Sequence, residues 1–171
     1  LHFTMPYYST PAQFAVHKDN TTFKSVKDLA GKRIGVGTET TYDRYLNKDL
    51  ELVGVKIKYL DWKAKKVTTY PTDANAIEDI ALGDGVRLDA VLTAKPTIFE
   101  ASKSGCGSGC PIKMLGEPVF YEHLSVALDK SRPNSESLLK KLNEIIDSMY
   151  KDGTLVNLSM QFYGTNLIPK L

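Results

Sequence analysis

The stretch Asp28–Leu46, DLAGKRIGVGTETTYDRYL, decides how the rest of the chain is read. It opens with a turn at Ala30-Gly31-Lys32 and continues as a short apolar strand from Arg33 to Val36. It then crosses a polar loop from Gly37 to Thr41 and enters a helix with Tyr42, Tyr45 and Leu46 at i, i+3, i+4 spacing. A helix that starts straight after a strand has first-turn amides without intrahelical partners, and they face the loop crest beside a partial positive charge. Such a crest is a seat for an anion or a carboxylate. Thr38, Thr40 and Thr41 add hydroxyl groups at the same place. The competing reading is that one of these threonines is only the helix N-cap.

Working outward, the 171 residues suffice for one domain of ordinary size or two small lobes, either with a real core. A net charge of +2 is too mild for a nucleic-acid partner, and no basic run is interleaved with aromatics. The Lys63–Lys66 cluster, KAKK, reads as a solvated face. No apolar run approaches the roughly 20 residues that would span a bilayer. The chain begins at Leu1 without a signal peptide, which reads as a mature, trimmed or partial chain. Its two cysteines, Cys106 and Cys110, stand in SGCGSGCP, where flanking glycines let the loop close. The redox rule favours a small-loop disulfide in an oxidising compartment over two free thiols. His2, His17 and His123 are scattered, so no metal or other cofactor is expected.

Along the chain, FTMPYY at 3–8 suits an edge or a crossover, because Pro6 interrupts it. Gln13–Lys18 is a strand, and Ser25–Leu29 one helical turn with Ser25 and Asp28 as a capping box. The helix from Thr41 runs to about Leu50. Val55–Tyr59 alternates with period two and is expected as a strand, with Val67–Tyr70 another. Thr72 or Asp73 caps a helix over Ala74–Leu82. LDAVL at 88–92 is a strand covered on both faces, and Lys95-Pro96 opens a helix to about Ser104. Ile112–Leu115 and Leu124–Leu128 are two further strands. Alternating helices and strands over residues 25–128 predict an α/β sheet. The tail differs: Asn134 or Ser135 caps a long helix with Leu138, Leu142, Ile145 and Met149 on one face, and a second helix covers Thr154 to about Phe162.

These pieces, in this order and spacing, resemble the extracytoplasmic solute-binding proteins of the polar amino-acid ABC-transporter type. The matching segments are FTMPYY (3–8), SVKDLAGKRIGV (25–36), TETTY (38–42), ALGDGVRLDAVL (81–92), LSVALDK (124–130) and SLLKKLNEIIDSMYKDGTLVNLSMQFYGT (137–165). The resemblance implies two periplasmic-binding-protein-like α/β lobes joined by crossing strands, closing over a small ligand. It implies residues 1–11 as the outgoing hinge strand, 12–120 as the second lobe, 121–130 as the return hinge strand, and 131–171 as helices that pack on the first lobe. Most of that first lobe is then absent from these residues, and the stripe from Leu138 to Met149, left uncovered, would favour self-association.

The resemblance also implies a ligand set of Thr38, Thr40, Thr41, Tyr42 and Thr93, with Thr40 and Thr41 receiving a carboxylate. Two positions depart from the family pattern. Glu39 stands where a glycine is expected, which places a carboxylate at a carboxylate seat and forgoes easy access to positive φ. Ala94 stands where the family has the Asp that accepts the ligand ammonium, and a methyl group cannot hold a buried cation. The ligand then lacks an α-amino group or meets another acid, with Glu39 and Glu122 as the candidates. Lys95 is expected in solvent. The implied function is capture of a small polar solute and its delivery to permease subunits outside the cytoplasm, with the missing lobe or a second chain as a further partner. A receptor's sensing domain and a dehydratase or lyase are the alternatives on this fold.

Overall fold

The computed structural model describes residues 1–52 and 55–170. In chain order its elements are β1 (His2–Phe3), β2 (Tyr8–His17), β3 (Arg33–Gly37), α1 (Thr41–Asn47), β4 (Lys66–Tyr70), α2 (Asp73–Ala81), β5 (Ala90–Ala94), α3 (Lys95–Ser104), β6 (Ile112–Leu124), β7 (Ala127–Leu128), α4 (Ser135–Lys151) and α5 (Thr154–Tyr163). The chain folds as two compact units, Pro11–Tyr121 and Leu1–Thr10 with Glu122–Leu171.

The Pro11–Tyr121 unit is built on a five-stranded sheet in the order β4-β3-β5-β2-β6. β3 runs parallel to both β4 and β5, and β2 runs antiparallel to β5. Every residue of β2 after Tyr8 is buried, which fits an inner strand covered on both faces. On one face Tyr42 and Tyr45 of α1 pack with Phe14, Ile34, Val36, Leu92 and Phe120. On the other, Ala76, Ile77 and Ile80 of α2 and Ile98 of α3 pack with Ala15, Val91 and Ile112. Each fully buried large apolar side chain contributes about 1.5–3 kcal/mol relative to exposure, so these two layers hold the unit together. β3 is closely covered at Gly35, where a Cβ would stand 2.5 Å from Leu88 Cδ1 and 3.4 Å from Ala76 Cβ of α2.

At the amino end of β3, Arg33 donates from its backbone N and Nε to Asp89 Oδ2 (2.8 and 3.1 Å) and from Nη2 to Asp89 Oδ1 (2.9 Å). Burial pushes the Asp89 carboxyl up, but the Arg33 hydrogen bonds outweigh it and hold it below the usual carboxylate range. The expected capping box is present: Asp28 accepts from the amides of Lys24 and Ser25, each at 2.8 Å.

Three element expectations are corrected. The strand expected at Val55–Tyr59 does not form: Val55 makes an isolated bridge to Leu52 and residues 56–59 are in no strand. Ile57 and Tyr59 do turn half-buried toward the core, but β3 already has β4 and β5 as its neighbours, so alternation there reports one-sided burial without a pairing partner. Tyr45 Oη donates to Lys58 O within this segment (3.1 Å), and the segment's own Tyr59 Oη donates to Leu50 O (2.7 Å). The two strands expected at 112–115 and 124–128 are one long β6 followed by the short β7. Gly116 and Pro118 lie inside β6, an edge strand, where both are tolerated, and Gly116 has a φ of 66°. α1 stops at Asn47, because Lys48 turns left-handed with φ 63° and closes the helix.

In the other unit, β1 and β7 form a two-stranded antiparallel sheet, His2 opposite Leu128 and Phe3 opposite Ala127. α4 ties to the preceding chain through Asn143 Oδ1, which accepts from Met5 N (2.8 Å), and through Tyr150 Oη, which donates to Pro6 O (2.8 Å). The inward side of α4 is therefore the row that includes Asn143, Ile146 and Tyr150, while Leu138 and Ile145 of the expected apolar stripe are exposed. Among the described residues no helix is long and apolar enough to cross a membrane.

Candidate functional site

Because β3, β4 and β5 run parallel, the helices that follow them all start at one end of the sheet. β3 passes the chain to α1 on one face, and β5 passes it to α3 on the other. Neighbouring parallel strands whose connections leave to opposite faces open a crevice at their carboxyl ends, where ligands bind in open α/β sheets. The pairing of Ile34 with Ala90 and Gly35 with Val91, continued for two residues, brings Gly37 level with Thr93. At a strand spacing of about 4.8 Å, the Thr38–Thr41 crest and the β5–α3 corner are neighbours.

The crest is pinned from both sides. Gly37 N donates to Asp73 Oδ1 (2.9 Å), and Thr38 N donates to Tyr70 O (2.7 Å). Thr40 Oγ1 donates to Gly37 O (2.8 Å) and accepts from Asp43 N (3.3 Å), so Thr40 is the helix N-cap. Thr38 is exposed, and Thr41 opens α1 half-buried. Glu39 is exposed with φ 58°, so the positive φ that its side chain was expected to forgo is adopted nonetheless. The cost is roughly 1–2 kcal/mol, borne by the hydrogen bonds on either side of it.

Tyr42, expected beside the ligand, is a core residue: it is 7% exposed and its ring lies 6.1 Å from that of Phe120. Thr93 is 2% exposed, and its Oγ1 is one of the buried side-chain polar atoms with no hydrogen-bond partner. An unpaired buried hydroxyl costs about 1–3 kcal/mol, which marks this position as unusual within an otherwise satisfied sheet. Ala94 ends β5 and stands at the N-cap of α3, and Lys95, expected in solvent, is half-buried. Glu122 belongs to the other compact unit, so the two candidate acids Glu39 and Glu122 do not share a unit.

Asp73 is the positioning residue that the sequence did not single out. Thr72 caps α2 by accepting from Asn75 N (3.2 Å), which releases the Asp73 carboxylate to hold the end of β3. Two cap candidates side by side, Thr72 and Asp73, are the only signal for it in the sequence. A depression of about 500 Å³ runs along α1, with Glu39, Asp43, Asp49 and Glu51 around Arg44. Among the described residues no group of His, Cys, Asp or Glu could hold a metal ion. Cys106 and Cys110 are joined in a disulfide with Cα atoms 5.0 Å apart, and Cys110 packs in the core face that α3 covers.

The family model described as "Bacterial extracellular solute-binding proteins, family 3" matches residues 1–165. The chain belongs to that family. As a family 3 chain it is 30% identical over 167 residues to the probable amino-acid-binding protein YxeM of Bacillus subtilis, covering 97% of this chain and 56% of that protein. It is 31% identical over 166 residues to the L-cystine-binding protein TcyJ of Escherichia coli, covering 96% of this chain and 54% of that protein. Among solved structures, an ancestral arginine-binding protein bound to glutamine aligns with TM-score 0.69 at 27% identity, covering 95% of this chain and 64% of that one. This family 3 chain thus spans little more than half the length of the curated relatives it matches. Its mixed α/β architecture is that of periplasmic amino-acid-binding proteins, and the family's place is outside the cytoplasm.

Proposed function

We propose that this chain captures a small polar solute for an ABC importer, using the crevice at the carboxyl ends of β3 and β5. The observation that carries the reading is the pinned crest beside the β5–α3 corner, two strand ends whose following helices pack on opposite faces of the sheet. Family membership supports the same role, as do relatives named as amino-acid-binding proteins. The solute's identity is not carried over from those names, because Ala94 and Glu39 depart from the pattern that the resemblance implies.

Binding rather than catalysis is proposed, since the relatives are named as binding proteins. The partners proposed are the permease subunits and an additional lobe, a second α/β wall supplied by chain beyond these residues or by another chain. The relatives' length supports that second wall: they are nearly twice as long as the segment matched here. Closure would then be a population shift, favoured only by contacts that the solute makes in the closed state.

The test is calorimetric and thermal-shift screening of the longest expressible polypeptide with amino acids, amines and organic acids. Thr41→Ala is expected to weaken the binding found by about tenfold, while Lys24→Ala leaves it unchanged. A binder whose affinity is insensitive to Thr41→Ala and to Thr38→Ala refutes the crest as the seat.

A further inference from the structure

The three strand-to-helix corners of the sheet are not finished alike. α1 is capped by Thr40 and α2 by Thr72, each accepting an amide of its own first turn. α3, a helix of ten residues, starts after Ala94 and has no side-chain cap. Its first turn holds no acidic residue, and Pro96 supplies no N–H. The amides of Lys95 and Thr97 therefore have no side-chain acceptor at the end of the helix that carries positive partial charge. Lys95 adds a full charge at the first helical position and is half-buried.

A second observation at the same corner is independent of the helix. Thr93 is nine-tenths buried and more, and its Oγ1 has no partner. Thr93 has the parity of Val91, which packs on the face that holds Ile98 of α3, so its side chain lies on the face covered by α3. An unpaired buried hydroxyl and two helix-start amides without a side-chain acceptor thus stand within Thr93–Thr97 at one corner, with the cationic Lys95 at the first helical position. Of the carboxylates at the neighbouring crest, Asp73 is engaged by the Gly37 amide and Asp43 accepts from Asn47 Nδ2, while Glu39 is exposed.

We propose that the β5–α3 corner receives a carboxylate, and that the solute of this chain is a small organic acid rather than an amine. The inference rests on the solute-binding reading and names the class of solute. A carboxylate has four lone-pair sites, enough to accept from the Thr93 hydroxyl, the Lys95 and Thr97 amides and the Lys95 ammonium group together. An ammonium group at the same place would meet amide donors and the like charge of Lys95, and the Ala94 methyl gives it no carboxylate to pair with.

The experiment is an amide-resolved NMR titration of the full 171-residue chain with succinate, and separately with putrescine, a diamine of the same carbon count. Sodium chloride at matched ionic strength is the control. Succinate is expected to shift the amides of Lys95 and Thr97, and putrescine to leave them in place. Ala94→Asp, which supplies an internal acceptor and a repelling charge, is expected to weaken succinate by about tenfold or more. Thr93→Val, which keeps the volume and removes the hydroxyl, is expected to weaken it about threefold to tenfold with the remaining spectrum unchanged. Ala94→Asn caps the helix without a charge and is expected to weaken succinate less than Ala94→Asp. The proposal is overturned if putrescine moves the same amides, if sodium chloride reproduces the succinate shifts (an adventitious ion only), or if Lys95 and Thr97 do not respond. Shifts confined to Gly37–Thr41 would leave the solute-binding reading standing and remove this inference alone.

Discussion

Gly37 is the most constrained residue of the crest. A Cβ there would stand 2.6 Å from Asp73 Oδ1, which accepts from Gly37 N, and 2.9 Å from Cγ2 of Thr40, whose Oγ1 donates to Gly37 O. Gly37→Ala is expected to lower stability by about 1–3 kcal/mol in urea unfolding, whereas Thr38→Ala at the exposed neighbour changes it by less than about 0.5 kcal/mol. Tyr45 gives a residue-scale pH dependence. Burial first, then the neighbouring Tyr59, pushes its hydroxyl up to about 12. A folded-state value above the unfolded one means that the stability from the neutral phenol is complete below about pH 10. It is lost as pH rises from there toward 12, because the unfolded chain releases its proton first. Alkaline unfolding monitored by circular dichroism is expected to show this loss, and Tyr45→Phe to reduce its slope while costing about 1 kcal/mol at neutral pH through the unpaired Lys58 carbonyl.

At the scale of elements, the helices were legible and the strand partners were not. α3 begins where Lys95-Pro96 announces it, because proline suits a first turn and the reason is local. Val55–Tyr59 has the cleaner alternation, but β4 is the segment that pairs with β3, a choice made by the whole sheet. The far end of α3 is fastened by the Cys106–Cys110 disulfide, with Cys110 N donating to Ala101 O (2.8 Å). The loop it closes is short, so chain entropy gives a contribution of about 2 kcal/mol. Thermal unfolding with and without reductant is expected to show a loss of that size, absent in a Cys106→Ser, Cys110→Ser double variant. No change on reduction in the unsubstituted chain would mean that the fastening adds nothing beyond α3's own packing.

For the whole molecule, the two units differ in how well they cover their apolar groups. In the Pro11–Tyr121 unit the large apolar side chains of β2, β3 and β5 are 0–1% exposed. In the other, Leu138 is 48%, Ile145 45%, Met160 50% and Phe162 64% exposed. Apolar side chains left open on two helices favour association with whatever apolar surface is available. Sedimentation velocity on the 171-residue chain is expected to show self-association that grows with concentration and is reduced by Leu138→Lys with Ile145→Lys. A monomer at all concentrations would show that these side chains need no cover.

The sequence by itself determined the fold class, the family, the crest after β3, the helix starts and the cysteine pairing. The crest, the helix starts and the cysteine pairing rest on residues close together in the chain, where propensity, capping and spacing act directly, and the fold class and family rest on the order of such pieces along it. Only the tertiary structure decided that Tyr42 is core, that Asp73 holds the crest, that Thr93 is buried without a partner, and that residues 56–60 go unpaired. Those outcomes depend on which strands lie side by side and which face each helix covers. Burial and hydrogen-bond satisfaction across such contacts are properties of the assembled sheet, and no local pattern encodes them.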